Sequence, residues 1–169
     1  MGYVNDTQMS KFIFPNQFSF SAGTWTPTIA SDVFSMVRSQ ADASFTAIVP
    51  IPLPSNAAVL KGSYLKSIDI YYKIAVAADD FATVDLNKEV LGVDDTAITA
   101  AAVVTTLDLG HDTAGERKAA DDDHVMTITL TTPAWLDDGD VYWVEMIVDC
   151  AATTDFIFFG ARANYTLRV

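Results

Sequence analysis

The feature that most constrains the fold is a long run of alternating residues from Ser63 to Val76. A period of two places successive side chains on opposite faces of an extended strand. We therefore predict a long strand here, with one face buried in a core. The buried face is expected to hold Tyr64, Lys66, Ile68, Ile70, Tyr72, Ile74 and Val76, and the opposite face Ser67, Asp69, Tyr71 and Lys73.

The same alternation recurs in the second half of the chain. It covers Val125 to Thr132, Val141 to Cys150 and the closing run from Ile157 to Val169. In the first of these runs, threonines occupy the face opposite the apolar residues. Threonine suits the exposed face of a strand, because its branched Cβ packs on the pleat while its hydroxyl meets water. Shorter candidate strands are Phe45 to Leu53, Phe81 to Leu91 and Ala102 to Leu109.

Two segments fit either a helix or a strand. Thr28 to Arg38 has apolar residues at helical spacing, but Pro27 and the β-branched residues favour a strand. Thr96 to Thr106 mixes alanines, which favour a helix, with isoleucine, valine and threonine, which favour a strand. Because turn-rich loops and no long helical patterns separate the strands, we predict an all-β fold. It is an antiparallel two-sheet β-sandwich, jelly-roll-like, with a single domain over residues 28–169.

The chain combines many acidic residues with many hydrophobic ones. It has 22 Asp and Glu against 10 Lys and Arg, a net charge of −12, and 50% hydrophobic residues. Nucleic-acid affinity comes mainly from clustered Lys and Arg, so we expect no nucleic-acid partner. No apolar run approaches the ~18 residues needed to span a bilayer, so we expect no membrane partner. The acidic residues fall between the predicted strands, in Asp79-Asp80, Asp94-Asp95, Asp121-Asp122-Asp123 and Asp137-Asp138-Gly139-Asp140.

The first 27 residues differ from the rest, because aromatic side chains are spread through a polar segment without regular periodicity. This pattern predicts an extended N-terminal arm over residues 1–27. Full burial of each phenylalanine would contribute about 1.5–3 kcal/mol, so the aromatic residues are expected to be covered. Two interpretations stay open: the arm folds back along its own sandwich, or it docks on a neighbouring subunit or shell. The candidate partner-binding residues are Tyr3, Phe12, Phe14, Phe18, Phe20 and Trp25.

The two histidines, His111 and His124, border an acidic loop. A metal site can be imagined from His111, Asp112, Asp121, Asp123 and His124, but their spacing is not diagnostic, and we predict no metal site. The segment Asp137-Asp138-Gly139-Asp140 lacks the alternating ligands of an EF-hand and is better explained as a tight turn.

The sequence holds no recognisable catalytic motif, and we predict that the protein is not an enzyme and needs no cofactor. Carboxylates are numerous, so composition alone does not exclude a glycosidase pair, but Asp69, Glu145 and Asp149 alternate onto outward faces. The single cysteine, Cys150, falls on a predicted inward face, where it acts as a small hydrophobic residue.

Aromatic residues that could line a platform for sugars are Tyr71, Trp135 and Trp143.

Four parts of the sequence carry a resemblance to a known group of proteins. They are the segments Lys61 to Tyr72, Gly110 to Arg117, His124 to Leu130 and Gly160 to Thr166. Together they resemble small β-sandwich proteins of tailed-phage virions, which include capsid decoration or cement proteins and related head and fibre proteins. The resemblance covers about residues 24–169 and leaves the aromatic arm unmatched. It implies a structural role, commonly as a trimer over a symmetry axis of the shell, and no catalytic residues.

From these observations we expect a structural virion protein that decorates and cements a tailed-phage capsid through apolar contacts. Its partners would be the major capsid protein and further copies of itself, as a homo-oligomer with a trimer favoured. N-terminal residues 1–6 lack the basic and apolar regions of a signal peptide, so we expect synthesis in the host cytoplasm and a final place on the capsid surface. The alternative hypothesis is a carbohydrate-binding or receptor-binding β-sandwich module of a phage fibre.

Overall fold

A computed structural model describes residues 5–55, 61–76, 78–91 and 98–168. Within these residues the chain forms an all-β, antiparallel two-sheet sandwich, which confirms the predicted fold class. In chain order the strands are β1 (Asp6–Ile13), β2 (Ser19–Phe20), β3 (Trp25–Ala30), β4 (Val33–Arg38), β5 (Phe45–Pro50), β6 (Gly62–Ile74), β7 (Asp80–Val90), β8 (Thr99–Val103), β9 (Thr105–Leu107), β10 (Asp121–Trp135), β11 (Asp140–Asp149) and β12 (Phe156–Arg168).

The first sheet has seven strands and the second has five. The seven-stranded sheet has the order β3-β4-β12-β6-β10-β9, and β1 pairs with β12 beside β4. The five-stranded sheet has the order β2-β5-β11-β7-β8. The core lies between the two sheets and is formed by inward-facing residues of both, such as Ile70, Phe156 and Val144, each 0% exposed. Cys150 also lies in this core, and burial raises the pKa of its thiol, which keeps it an unreactive hydrophobic residue.

The long strand β6 corrects one part of the predicted face assignment. Ile68, Ile70, Tyr72 and Ile74 face the core as expected, but so does Leu65, whereas Tyr64 and Lys66 are only half-buried. The pairing with β12 skips Lys66, since Asn164 lies opposite Ser67 and Tyr165 lies opposite Leu65. A bulge of one residue reverses the side chains that precede it, so the alternation read from the sequence holds only after Lys66. Val76 lies beyond the end of β6 and is exposed.

Neither ambiguous segment is helical where the structure describes it, and both form strands. Thr28 to Arg38 belongs to the hairpin of β3 and β4, whose turn residues Ser31 and Asp32 have φ values of 49° and 64°. Two positive φ angles in a two-residue loop are typical of a tight hairpin turn that matches the twist of the strands. The second segment forms β8 and the first part of β9, while residues 96 and 97 lie outside the described residues, as do Asp94 and Asp95.

The predicted boundary at residue 27 needs correction, because it falls inside β3. The preceding residues are part of the sandwich: β1 pairs along β12 from Asp6 opposite Arg168 to Ile13 opposite Ala161, and β2 pairs with β5. Of the two open interpretations, the structure therefore shows a segment that folds back along its own domain. Its aromatic residues become part of the core or of a sheet face.

One short helix, α1 (Ala114–Arg117), was not expected. It begins with a capping box, in which the Thr113 hydroxyl accepts a hydrogen bond from the Glu116 amide and the Glu116 carboxylate accepts one from the Thr113 amide. No helix of the described residues has the length and apolar character needed to cross a membrane.

Candidate functional site

The outward face of the seven-stranded sheet gathers the side chains that are best suited to binding. We call this surface the platform, and define it by the outward-facing residues of β1, β12, β6, β10 and β9. The cross-strand register places these residues in rows that run across the sheet. Neighbouring strands lie about 4.8 Å apart, so one row crosses five strands over roughly 20 Å.

The central row of the platform consists of small polar residues on all five strands. Ser10 lies opposite Asn164, Asn164 opposite Ser67, Ser67 opposite Thr129, and Thr129 opposite Thr106. Each of these side chains carries a hydroxyl or amide group that can donate and accept hydrogen bonds. Ser67 and Thr129 were predicted on the faces opposite the apolar residues, but their proximity to each other and to Asn164 was not, because cross-strand register is not visible in a single strand.

A network around Asp69 holds the next row in place. The Oδ2 atom of Asp69 accepts hydrogen bonds from Arg162 Nη2 at 2.8 Å and from Asn164 Nδ2 at 3.0 Å, and Oδ1 accepts one from the Thr127 hydroxyl at 2.9 Å. Asp69 lies on the outward face, as predicted, but its neighbours cover it, so that it is only 5% exposed. The carboxylate raises the pKa of Arg162 and fixes the orientation of Arg162 and Asn164, which present their remaining polar atoms to solvent.

One end of the platform is an aromatic groove with a volume of about 670 Å³. Phe12 of β1 packs edge-on against Phe14 at 5.2 Å and lies 6.5 Å from the ring of Tyr71. Phe12 is 46% exposed and Phe14 is 55% exposed. The Arg162 guanidinium lies 5.9 Å from the Tyr71 ring and connects the groove to the polar rows. The groove is lined by Phe12, Phe14, Asp32, Val33, Phe34, Tyr71, Asp123, His124, Val125 and Phe159.

The other end of the platform carries a second aromatic cluster. Tyr64 and Trp135 lie opposite each other on β6 and β10, with ring centroids 4.2 Å apart. Arg168 stacks over both rings, at 5.4 Å and 6.0 Å, and its guanidinium donates a hydrogen bond to Asp6 at 2.7 Å. Tyr64 and Tyr71 are seven residues apart on one strand, which corresponds to about 20 Å. The polar rows therefore lie between two aromatic ends.

The structure divides the three aromatic residues that were considered for a sugar platform. Tyr71 and Trp135 lie at opposite ends of the same sheet face. Trp143 lies on the outward face of the five-stranded sheet, where it pairs with Pro50 and Asn87. The platform therefore includes two of the three predicted residues.

The predicted partner-binding aromatic residues of the N-terminal segment also separate into two groups. Phe12 and Phe14 line the groove, whereas Phe18 is 6% exposed and packs against Phe158 at 5.4 Å. Phe20 and Trp25 stack on each other at 3.7 Å and pack against the core. Tyr3 lies outside the described residues. Phe12 and Phe14 thus remain candidates for contact with a partner, while Phe18, Phe20 and Trp25 support the fold.

The two histidines are buried beside the groove and bind each other. His111 Nε2 lies 3.1 Å from His124 Nδ1, His111 Nδ1 lies 2.6 Å from Asp108, and His124 Nε2 lies 3.1 Å from the Ala119 carbonyl. The His124 ring also stacks on Tyr72 at 4.6 Å. All four ring nitrogens have protein partners, and the described residues contain no cluster of ligands suited to a metal ion. The carboxylate of this cluster comes from Asp108, which was not among the residues predicted around the two histidines.

Asp108 is held in its ionised form by hydrogen bonds. Partial burial by itself raises the pKa of this carboxyl, but the Thr127 amide, the His111 ring and the Gly110 amide together outweigh that effect and hold the pKa below 3.8. The His111 Nδ1 atom and the Thr127 amide nitrogen each lie 2.6 Å from an oxygen of the Asp108 carboxylate. The folded chain therefore resists protonation of Asp108 more strongly than the unfolded chain.

We expect an Asp108→Asn variant to be less sensitive to acid than the unchanged protein. Because the pKa is lowered in the folded state, Asp108 contributes stability above pH 3.8, and this contribution is lost as the pH falls through the folded-state pKa. Urea unfolding between about pH 2.5 and 7 measures the slope of stability against pH. An exposed turn carboxylate, Asp138, provides the control as Asp138→Asn. Equal slopes for the unchanged protein and Asp108→Asn would show that the network does not hold the carboxylate.

The acidic segment from Asp137 to Asp140 is a turn, as predicted. The Asp140 amide donates to the Asp137 carbonyl at 3.1 Å, and Gly139 has a φ of 90°. The Asp140 carboxylate lies 2.6 Å from Lys88 Nζ, which ties the turn to β7.

No protein-family model matches the chain, and no curated protein matches it. Among solved structures, the chain is similar to a family two carbohydrate esterase from Cellvibrio japonicus, with a TM-score of 0.46 and 6% identity over 98% of this chain. It is also similar to the CBM22-1–GH10 modules of the Clostridium thermocellum xylanase 10B complexed with xylohexaose, with a TM-score of 0.49 and 13% identity over 92% of this chain. A third is TmCBM61 in complex with β-1,4-galactotriose, with a TM-score of 0.37 and 9% identity over 96% of this chain and 88% of the other. The chain spans 36% of the first and 27% of the second of these structures.

Proposed function

We propose that the protein is a non-catalytic carbohydrate-binding module, and that the platform binds an extended, uncharged glycan. The observation that carries this proposal is the central row of hydroxyl and amide side chains between two aromatic ends on one sheet face. A sugar ring has apolar faces formed by C–H groups and a rim of hydroxyls. Aromatic rings suit the faces, and side chains that both donate and accept hydrogen bonds suit the rim.

The shape of the platform favours a chain of sugars over a single sugar. The groove and the Tyr64–Trp135 cluster are separated by about 20 Å, so one monosaccharide cannot contact both. Strands hold the side chains in fixed positions, and the Asp69 network orients Arg162 and Asn164 before a ligand arrives. A preorganised surface loses less conformational entropy on binding.

The charges of the platform favour an uncharged ligand. Arg162 pairs with Asp69 and Arg168 pairs with Asp6, so these four charged groups neutralise one another in pairs. Lys66 and Asp123 add one positive and one negative charge to the same face. The whole chain carries a net charge of −12, which repels polyanions at long range. A neutral polysaccharide needs no unpaired charge on the platform and is not repelled by the net charge of the chain.

The proposal is tested by titrating the protein with neutral polysaccharides such as xylan, galactan, mannan and mixed-linkage glucan in a calorimeter. We expect binding to at least one of them, with Asn164→Ala and Trp135→Ala each weakening it at least tenfold, which corresponds to about 1.4 kcal/mol. Trp143→Ala is the matched control, because it removes the same side chain from the other sheet, and it should leave the affinity unchanged. Absence of binding to every glycan, or equal losses for Trp135→Ala and Trp143→Ala, would reject the proposal.

Long incubation of the protein with the same polysaccharides distinguishes binding from catalysis. Asp32 and Asp123 both line the aromatic groove, and a pair of carboxylates can cleave glycosidic bonds. A non-catalytic module leaves the polysaccharide intact after long incubation. Release of reducing ends that stops in Asp32→Asn or Asp123→Asn would identify an enzyme instead.

A second candidate function is the decoration of a viral shell, and the exposure of Phe12 and Phe14 favours it. Large exposed aromatic side chains in an apolar groove are typical of protein-binding sites. In this case the protein would add to purified capsid shells at a fixed stoichiometry, and Phe12→Ala with Phe14→Ala would prevent the addition. Binding of shells that is independent of these two residues, or no binding of shells, would exclude this use of the groove.

A further inference from the structure

The strand β8 lies at the edge of the five-stranded sheet, and its outer side has no partner strand in the part of the chain that the structure describes. It pairs on its inner side with β7, from Val103 opposite Leu86 to Thr99 opposite Val90. Edge strands expose unpaired amide and carbonyl groups, and proteins usually protect them with charges, prolines, bulges or short length. An edge strand that lacks these protective features is therefore open to pairing with another strand.

The other edge strands of the described residues are all protected. β2 has two residues and β9 has three, β3 contains Pro27, and β1 carries Asp6 and Lys11. By contrast, β8 has five residues with the sequence TAAAV, a regular register and no proline or charge. The segment from Ile98 to Leu107 contains no charged residue at all. In a chain of net charge −12, an uncharged edge adds no like-charge repulsion of its own when two copies pair.

We propose that β8 pairs with β8 of a second copy of this chain, antiparallel and around a two-fold axis at Ala101. In this register Ala100 lies opposite Ala102, and Thr99 lies opposite Val103. Ile98 and Val104 flank β8 and are 63% and 73% exposed in the single chain, and the Val104 carbonyl accepts a hydrogen bond from the Thr131 amide of β10. The edge is thus complementary to itself, which is the requirement for a symmetric two-fold interface.

The partner is a second copy because the register leaves no mismatch. Alanine opposite alanine allows the two backbones to approach without steric conflict. The two five-stranded sheets then form one continuous sheet of ten strands. A two-fold contact of this kind closes with two subunits, so it yields a dimer and not a trimer.

Sedimentation of the full chain tests the dimer, from about 10 µM to about 1 mM, where weak and transient interfaces are detected. We expect the dimer fraction to rise with concentration. Replacing both Ala100 and Ala102 by lysine places like charges opposite each other and should weaken the dimer at least tenfold. The corresponding double glutamate variant should also be monomeric, and an equimolar mixture of the two variants should restore a dimer. A monomer at all concentrations, or a dimer that the lysines do not weaken, would overturn the proposal.

A crosslinking experiment tests the register and does not depend on the charge variants. Residues at a two-fold axis between antiparallel strands have Cα atoms about 4.5–5.5 Å apart, which is within the reach of a disulfide. An Ala101→Cys variant should form a disulfide-linked dimer on mild oxidation, because the native Cys150 is buried. Thr106→Cys, on the exposed part of β9, is the matched control and should stay monomeric. Crosslinking at residue 106 and not at residue 101 would contradict the assigned interface.

Discussion

An Arg117→Ala variant is expected to lose about 3–4 kcal/mol of unfolding free energy. Arg117 is only 5% exposed, and its guanidinium donates three hydrogen bonds to backbone carbonyls, those of Phe81 at 2.8 Å, His111 at 2.8 Å and Ala82 at 2.9 Å. Truncation leaves these acceptors without their partner in a site that water reaches poorly. Equilibrium unfolding in urea measures the loss.

The conservative change Arg117→Lys provides the comparison for this prediction. Lysine keeps the positive charge, but its single ammonium group cannot reproduce the planar arrangement of three donors. We therefore expect Arg117→Lys to be nearly as unstable as Arg117→Ala. If Arg117→Lys keeps full stability, the charge and not the hydrogen-bond geometry of Arg117 holds the loop against β7.

A Gly160→Ala variant is expected to lose about 2–3 kcal/mol of unfolding free energy. Gly160 has a φ of 133°, and an added Cβ would lie 2.6 Å from the Phe12 ring and 2.7 Å from the Ile13 carbonyl oxygen. The Ile13 carbonyl belongs to β1, so the clash forces this strand away from β12. Thermal and urea unfolding measure the loss of stability, and the displaced Phe12 should also weaken any ligand in the groove.

The matched control for Gly160→Ala is Gly115→Ala. Gly115 lies in α1, and the nearest atom to an added Cβ is the Thr113 hydroxyl at 3.8 Å, an ordinary contact distance. Alanine favours a helix over glycine, so this variant should be at least as stable as the unchanged protein. Comparable losses for both variants would mean that neither the φ angle nor the close approach of Phe12 determines the effect.

The strands could be predicted from the sequence because their periodicity is local. The core residues of β10 and β11 follow the predicted alternation, with Met126 and Ile128 of β10 and Val144 and Met146 of β11 fully buried. The inversion before Lys66 could not be predicted, because a bulge depends on the partner strand β12 and leaves no mark on the alternating pattern. The hairpin turn at Ser31 and Asp32 was also hidden, since these residues lack the glycine that usually marks a tight turn.

One feature could have been predicted and was not. Thr113 and Glu116 have the spacing of a capping box, which is a readable signal for the start of a helix. The four residues of α1 are too few to show any apolar periodicity, so the capping signal was the only local sign of the helix.

The candidate site depends on contacts between distant parts of the chain. Ser10 and Asn164 are adjacent in the sheet but lie at opposite ends of the sequence. Asp69 was predicted on an outward face, but nothing local predicts that Arg162 and Asn164 cover it there. The aromatic residues of the N-terminal segment were predicted to be covered, which holds for Phe18 but not for Phe12 and Phe14 in the single chain. The register of β1 against β12 leaves Phe12 exposed, whereas Phe18 follows β1 in the chain and packs against Phe158 in the core.

The most direct test of the platform uses the three tryptophan side chains as reporters in a single NMR experiment. Trp135 lies on the platform, Trp143 lies on the outward face of the other sheet, and the Trp25 indole donates to the Ala22 carbonyl at 3.0 Å within the fold. Indole signals are recorded while a neutral oligosaccharide that binds in the calorimeter is added. The platform predicts a progressive shift of the Trp135 signal, with those of Trp143 and Trp25 unmoved. A shift of the Trp143 signal with Trp135 unchanged would place the ligand on the opposite sheet and contradict the account.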